Sequence, residues 1–395
     1  MCGKKSKILF LNHWGKYPGG AEYSLIDILK ETVKDYQTHL ITTENGFLQS
    51  KSSEMGVHCH IVPCTEKLSS IKRDSLFKSL IRNAPALFQF ILFSFRVRSL
   101  VKTLAPSCIH ANVPKSHVLL LLLRLYGFRG RAVFHIREIF PDKSFSRWVY
   151  NLLLCGSVEV IAISSAVKDS LPQRLRPKTR IIHNGVTIRG PAKRGAYSGA
   201  VSFVYVGRIV PWKGCHHLIE AFSMLKKRTS RKTTLTLIGS SFYGDDAYRE
   251  KLSAEIKEKG LTDSAFLRPH TEDPWKKIPR NAVFCTASAD EPFGRSVAEA
   301  QGAGLPVIAF CSGGISEIVK HGVSGLLVTQ SDIMALSNAM ETLLESSDLL
   351  NSMGKAGCKR AGKLFNREIQ IKKVKDAIIG SVPQGNGFDA SPSKH

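Results

Sequence analysis

The residues best suited to chemistry in this chain crowd into one stretch, EPFGRSVAEAQGAGLPVIA at residues 291–309. Glu291 follows a strand-like run, Pro292, Phe293 and Gly294 open a helical pattern, and Glu299 falls about five residues into that helix, roughly 7 Å further along its axis. Carboxylates only accept hydrogen bonds, which suits vicinal hydroxyls, so the two acids can grip opposite ends of an elongated sugar nucleotide. A helix starting near Gly294 also presents unpaired N–H groups and the positive end of its dipole, a fit for a diphosphate.

A second stretch, VGRIVPWKG at residues 206–214, places Arg208 just after a strand-like run and Lys213 at a helix opening five residues later. Two cations can then converge on one anion. A diphosphate leaving group gains negative charge as its bond to the sugar breaks, and fixed positive groups there lower the barrier without a metal. In NHWGKYPGGAEYSLIDIL, residues 12–29, Gly19 and Gly20 permit close backbone approach just ahead of a helix that carries Leu25, Ile28 and Leu29 on one face. The full GxGxxG pattern is absent, which disfavours a dinucleotide-dependent dehydrogenase. In VFHIREIF, residues 133–140, His135 stands near the end of a strand, the edge at which such sheets bind ligands. Taken singly, a Gly-Gly is usually a turn and a lone histidine usually structural; the joint context of the motifs carries the reading.

That context resembles glycosyltransferase family 4. Glu291 and Glu299, with seven residues between them, resemble its E-x7-E signature, and VGRIVPWKG resembles its G-R-x4-K-G pattern. The resemblance implies a metal-independent, retaining transferase of the two-Rossmann GT-B type that takes a nucleotide-diphosphate-sugar donor. It assigns Glu291 to hydroxyls of the transferred sugar, Glu299 to the ribose, and Arg208 and Lys213 to the diphosphate. Amides around Phe293, Gly294, Ser296 and Val297 are expected at the sugar and phosphates. GGAE resembles the family's N-terminal loop facing the donor, with Gly20 the residue of interest. His135 resembles the histidine lining the catalytic cleft, placed to contact the donor sugar or to position the acceptor, with Arg137 and Glu138 as acceptor-side candidates. The catalytic set is thus Glu291, His135, Arg208 and Lys213. IIHNGV at 181–186 resembles the strand before the linker, with His183 in place of the usual proline, IHAN at 109–112 resembles a family strand end, and Glu317 in GGISEIV is expected at a helix or hinge. The base-binding wall is expected around Gly239 to Phe242 and Arg268 to His270. One departure stands out: TEDPWKKIPRNAVF, residues 271–284, lacks the usual aromatic helix before the motif strand.

The elements that must position these groups follow from the apolar pattern. A chain of 395 residues with 43% hydrophobic residues exceeds one compact core and points to two domains. Strand-like runs at 7–12, 39–43, 57–63, 108–113, 132–137, 158–164 and 180–186 alternate with helical stretches, and several, such as ILFL and VIAI, are apolar at successive positions. Such runs fit parallel sheets covered on both faces. A Gly, Pro and basic stretch at 189–200 reads as a linker, after which strands recur at 201–206, 234–238, 265–268, 283–286 and 306–310. The expected class is therefore α/β, two Rossmann-like domains facing across a cleft. An acceptor-side domain spans 1–190 and a donor-binding domain 200–364, with a helix at 365–380 able to return to the N-terminal domain and a disordered tail at 381–395.

Nine scattered cysteines form no CxxC pair, so a reduced chain without structural zinc is expected. The start carries only a short apolar run, Ile8 to Leu11, too short for a signal-peptide core, and the longest uncharged stretch, Asn83 to Phe95, falls short of the about 20 residues a bilayer span needs. The expected location is cytoplasmic. Lys and Arg number 56 against 32 Asp and Glu, a net charge of +24, concentrated in the first half. Such an excess suits nucleic acid, an acidic membrane or a phosphorylated substrate. No nucleic-acid signature is present, which puts a basic nucleic-acid-binding protein behind the other alternative, a different two-Rossmann sugar-nucleotide enzyme such as an epimerase or inverting transferase, and leaves no nucleic-acid partner in the main reading. Between Lys72 and Lys102 an apolar helical stripe is flanked by basic residues, with Pro85 a candidate bend. That stripe either packs on the N-terminal sheet or lies on an anionic membrane, and the second option suits a lipid-linked rather than a free glycan acceptor.

Overall fold

The computed structural model describes residues 5–12, 19–64, 84–141, 150, 158–190, 200–241, 246–279 and 281–380. Residues 13–18, the basic residues before Ala84, most of the expected linker (191–199) and the expected tail (381–395) lie outside that set.

Two parallel sheets form the framework. The first has seven strands in the order β3-β2-β1-β4-β5-β6-β7: β1 Lys7–Leu11, β2 Gln37–Thr42, β3 His58–Ile61, β4 Cys108–Ala111, β5 Arg131–Ile136, β6 Glu159–Ala162 and β7 Thr179–Ile181. The second has six, β10-β9-β8-β11-β12-β13: β8 Val201–Val206, β9 Thr233–Ile238, β10 Ala265–Arg268, β11 Ala282–Thr286, β12 Val307–Phe310 and β13 Gly325–Val328. Every residue of β4, β11 and β12 is buried, as parallel strands covered on both faces require. The sequence pattern missed β13. It is a four-residue edge strand opened by Gly325, and three of its residues are only half-buried, so it carries no strong apolar run.

Winding starts at β1 in one sheet and β8 in the other and proceeds both ways, which leaves switch points between β1 and β4 and between β8 and β11. Loops part there, so the carboxyl ends of those strands border a crevice. The helices flanking the crevices are α1 (Gly20–Thr32), α2 (Phe47–Glu54), α3 (Ala84–Leu104), α4 (Pro114–Leu125) and α5 (Ser165–Ser170) in the N-terminal domain. In the C-terminal domain they are α6 (Cys215–Arg228), α7 (Ala247–Glu258), α8 (Arg295–Gly302), α9 (Ile315–Ile318), α10 (Ile333–Glu345) and α11 (Ser347–Leu364). Pro85 stands in the first turn of α3, where a missing N–H costs nothing, so it starts the helix rather than bending it.

The last helix, α12 (Arg367–Ile379), packs on α1, β4 and β5 of the N-terminal sheet. Asn366 caps it by accepting from the Glu368 and Ile369 amides at 3.0 and 3.2 Å. The chain crosses between domains where Val186 N–H donates to Phe365 C=O (2.8 Å) and Arg367 N–H donates to Val186 C=O (3.0 Å). Beside this crossing His183, Phe293 and Phe365 pack ring on ring, with centroids 5.1 to 5.8 Å apart.

Candidate active site between the two domains

Donor-side chemistry is built on the carboxyl ends of β8 and β11. After β8 the chain makes a single 3-10 turn, Pro211 to Lys213, and enters α6 through Gly214. Gly214 has φ +69°, and a Cβ there would fall 2.1 Å from the Ala287 carbonyl oxygen, so only glycine lets this turn lie against the loop after β11. That approach brings Lys213 Nζ onto the Glu291 carboxylate as an ion pair, both side chains less than 15% exposed. The Lys213 ammonium also lies 4.2 Å from the Trp212 ring centroid, and the exposed Arg208 guanidinium lies 5.8 Å from the same ring. The two cations of G-R-x4-K-G therefore gather around one indole, next to one of the two signature acids.

Glu291 is held through its backbone. Gly314 N–H donates to its carbonyl at 2.8 Å. Gly313, at φ +50°, lies so close that a Cβ would be 2.2 Å from the same oxygen. The preceding Asp290 is itself left-handed at φ 47°, an uncommon state for a residue with a Cβ. Phe293 is buried and Gly294 caps α8. The first bond of α8 runs from Ala298 N–H to Gly294 C=O at 3.1 Å, so the amides before it, including those of Ser296 and Val297, form the open helix end.

Glu299 sits in the second turn of α8, where its carboxylate accepts from Arg295 Nε at 2.9 Å and from Trp275 Nε1 at 3.3 Å. Trp275 belongs to the stretch that lacks the usual aromatic helix. Its indole reaches the ribose-assigned acid from a 3-10 turn at Pro274–Lys276 instead. On the expected base wall, Arg249 donates to the Gly239 carbonyl at 3.1 Å and the Arg268 guanidinium covers the Phe266 ring at 5.2 Å; Phe242 lies outside the described residues.

On the N-terminal side, β4 and β5 end in a buried polar network. Arg137 donates from Nε to Asn112 Oδ1 at 2.8 Å and from one terminal nitrogen to Asn184 Oδ1 at 2.6 Å. Burial, opposed by Glu22 and assisted by Arg295, lowers its pKa to about 9. Its other terminal nitrogen lies 3.4 Å from His135 Nδ1, and His110 Nε2 lies 3.2 Å from that same atom. A guanidinium can only donate, so Nδ1 of His135 accepts and its proton resides on Nε2. That Nε2 is buried and has no partner among the described residues. Burial, and then Arg137, His110 and His117, hold the His135 pKa well below the usual histidine range, so the ring is neutral at pH 7. Neutral, with one free N–H, His135 is equipped to donate to a ligand oxygen rather than to take a proton from one. Glu138 follows as a half-buried residue at the strand end, and Gly20 opens α1, with nothing within 4 Å of where its Cβ would stand.

The two sides are joined by hydrogen bonds. Arg295 donates to Ser24 Oγ on α1 at 3.0 Å; the Ser24 proton has the Gly20 carbonyl at 2.8 Å and Asn184 Oδ1 at 3.3 Å as acceptors, so a run of polar contacts extends from His135 through Arg137, Asn184, Ser24 and Arg295 to Glu299. Below it, Glu317 accepts from Ala166 N–H at 3.1 Å and pairs with His183 Nε2 at 3.2 Å, while Ser164 Oγ donates to the Pro292 carbonyl at 2.5 Å. Burial raises the Glu317 carboxyl, but the His183 contact and the backbone N–H groups outweigh it and leave the pKa low. Glu317 and His183 are thus one interdomain contact. Arg295, Trp275, Ser24 and Asn184 escaped the sequence reading. Only Arg295 gave a signal, as a cation inside the signature itself.

Two family models match end to end along the chain. The model described as Glycosyltransferase Family 4 covers residues 18–189 and the model described as Glycosyl transferases group 1 covers 189–360. An uncharacterised glycosyltransferase of Methanocaldococcus jannaschii is 23% identical over 94% of this chain and 98% of the relative. The capsular polysaccharide biosynthesis glycosyltransferase CapM of Staphylococcus aureus is 24% identical over 85% of this chain and 88% of the relative. In structure, HepE of Anabaena in complex with UDP superposes with a TM-score of 0.77 at 24% identity, covering 95% of this chain and all of HepE. From both sheets, the motif residues gathered at their facing ends and these matches, the chain belongs to the group 1 glycosyltransferases of family 4, folded as the two Rossmann-like domains of the GT-B type.

Proposed function

We propose that this chain is a retaining transferase that moves a sugar from a nucleotide-diphosphate donor to a hydroxyl of a glycan or lipid-linked acceptor, with no metal. The observation that carries the reading is the pairing of Lys213 with Glu291 beside the open amino end of α8, with Arg208 on the same indole. HepE, which shares the fold, has been crystallised with UDP and with UDP-glucose, and CapM is named for capsular polysaccharide biosynthesis.

In this reading the diphosphate lies between Arg208, Lys213 and the α8 amides. They offset the charge that grows on its oxygen as the bond to the anomeric carbon breaks. Glu291 holds hydroxyls of the moving sugar, Glu299 holds the ribose, and His135 Nε2–H donates to a sugar or acceptor oxygen. The acceptor hydroxyl attacks from the face the diphosphate leaves; its proton passes to a departing diphosphate oxygen, and the new bond keeps the anomeric configuration. The paired acids are binding groups, so the two-carboxylate scheme of retaining glycosidases does not apply. A panel of UDP-, GDP-, dTDP- and ADP-sugars followed by thermal shift is expected to give one stabilising class. Proton NMR of the product is then expected to show the donor's anomeric configuration; an inverted product or an epimerised donor would overturn the assignment.

The acceptor is proposed to be met at an anionic membrane. Among the described residues no helix is long and apolar enough to cross one. On α3, however, Phe88, Leu92 and Phe95, spaced four and three apart, are 61, 43 and 48% exposed, while Phe93, Val97 and Val101 fill the buried face. The helix has no acidic residue and carries Arg96, Arg98 and Lys102, and Leu125 on neighbouring α4 is 73% exposed. Basic helices with exposed phenylalanines insert at headgroup level. The protein is expected to co-sediment with vesicles containing phosphatidylglycerol but not with pure phosphatidylcholine, and Phe88→Ser with Phe95→Ser is expected to abolish this. Equal sedimentation of wild type and variant would remove the membrane from the reading.

A further inference from the structure

We propose that Arg295 is a positioning residue that ties the ribose grip of Glu299 to closure of the two domains. The proposal rests on the assignment of Glu299 to the ribose made above.

The geometry is a divided fork. Arg295 occupies the first position of α8, and its three nitrogens go to three acceptors: Nε to Glu299 of its own helix at 2.9 Å, and the terminal pair to Ser24 Oγ at 3.0 Å and Asp27 Oδ2 at 3.4 Å, both on α1 of the other domain. Asp27 is only 16% exposed and also meets Arg367, the first residue of α12, at 3.5 Å. The Tyr23 ring, one position before Ser24, lies 5.9 Å from the guanidinium. Three residues of α1, Tyr23, Ser24 and Asp27, thus meet one side chain from the opposite domain, on the helix that carries Glu299 and begins four residues after Glu291.

A largely buried guanidinium must keep a countercharge. With the domains together, Glu299 and then Asp27 supply it, and Glu299 gives Arg295 a single bond. A carboxylate has about four lone-pair sites, and Arg295 and Trp275 occupy two, which leaves two for a pair of ribose hydroxyls. With the domains apart, Ser24 and Asp27 are withdrawn, and the nearest acceptor for all three nitrogens is Glu299, four residues on along the same helix face. A carboxylate locked in a two-pronged pair with Arg295 is a poor ribose ligand. Nucleotide binding and closure then favour each other, and because linkage is reciprocal, Asp27 tunes nucleotide affinity without touching the nucleotide.

The test is titration calorimetry of UDP, GDP, dTDP and ADP against the full chain and five variants, with donor and acceptor KM measured alongside. Asp27→Asn is expected to weaken the preferred nucleotide about tenfold and to raise donor KM while leaving acceptor KM unchanged. Ser24→Ala, which removes a bond but no charge, is expected to weaken it roughly threefold and guards against a folding defect in the Asp27 variant. Arg295→Gln combined with Asp27→Asn is expected to match Arg295→Gln alone, because the pair acts as one device. Full nucleotide affinity in both the Asp27 and Ser24 variants, or additive losses in the double variant, would overturn the coupling. Glu299→Gln separates the layers. If it binds nucleotide as wild type does, the ribose assignment itself falls; if it binds weakly while the α1 variants stay tight, only the coupling falls.

Discussion

Replacing Lys213 by methionine is expected to lower kcat by about a hundredfold or more, the loss typical of removing one preorganised group from a developing negative charge. Methionine keeps an unbranched stem to pack beside Trp212, so the change isolates the ammonium. It also strands Glu291, which is 12% exposed and would lose its ion-pair partner, and breaking a buried pair on one side destabilises. A lower melting temperature is therefore expected as well, and it must be separated from the catalytic loss. The double variant Lys213→Met with Glu291→Gln removes both charges, so its melting temperature should recover toward wild type. Its turnover should not, because neither the charge on the leaving group's side nor the acid on the sugar has returned. Steady-state turnover with thermal melts of the three variants decides this; wild-type kcat in Lys213→Met would refute the role given to the lysine.

The second large effect is expected at a residue with no side chain. Gly313→Ala places a Cβ 2.2 Å from the Glu291 carbonyl oxygen at a backbone φ of +50°, and the atom it meets is main chain, which has no rotamer to give. The loop must move, and with it the 2.8 Å bond from Gly314 that seats Glu291. A displacement on the order of 1 Å at a group that orients substrate costs about a hundredfold in rate, and the strain adds about 1–3 kcal/mol of destabilisation. Gly322→Ala is the matched control. It is also left-handed, at φ +72°, but its Cβ would meet nothing within 4 Å, so it should cost stability and leave turnover near wild type. Equal kinetic losses in the two variants would show that the Glu291 seat is not what Gly313 serves.

Both predictions bear on Lys213 and Glu291, whose importance the motifs announced but whose partners they did not. Glu291, Glu299, Arg208 and Lys213 are readable because strand, loop and helix repeat at fixed periods. Once a helix starts at Arg295, the place of Glu299 on it follows from 3.6 residues per turn. The two sheets are legible for the same reason, since fully buried parallel strands announce themselves as unbroken apolar runs. The exception, β13, is an edge strand without such a run.

What the sequence by itself determined, then, is a set of local units: twelve of the thirteen strands among the described residues, the helix starts next to the motifs at Gly20, Cys215 and Arg295, and the identity of the groups delivered at the carboxyl ends of the strands. The tertiary structure decided which of those groups meet. Lys213 and Glu291 pair across 78 residues, Arg137 and Asn184 across 47, and Arg295 and Ser24 across 271. No periodicity reports such distances: the first two depend on which strand ends and loops become neighbours within one domain, and the third on how the two sheets are turned toward one another. The neutral His135 with its proton on Nε2 is likewise set by what packs around it, the Arg137 guanidinium and His110 of the neighbouring strand at 3.2 Å. Helical and strand spacing is a property of a few consecutive residues; the pairing of charges across a cleft is a property of the packed whole.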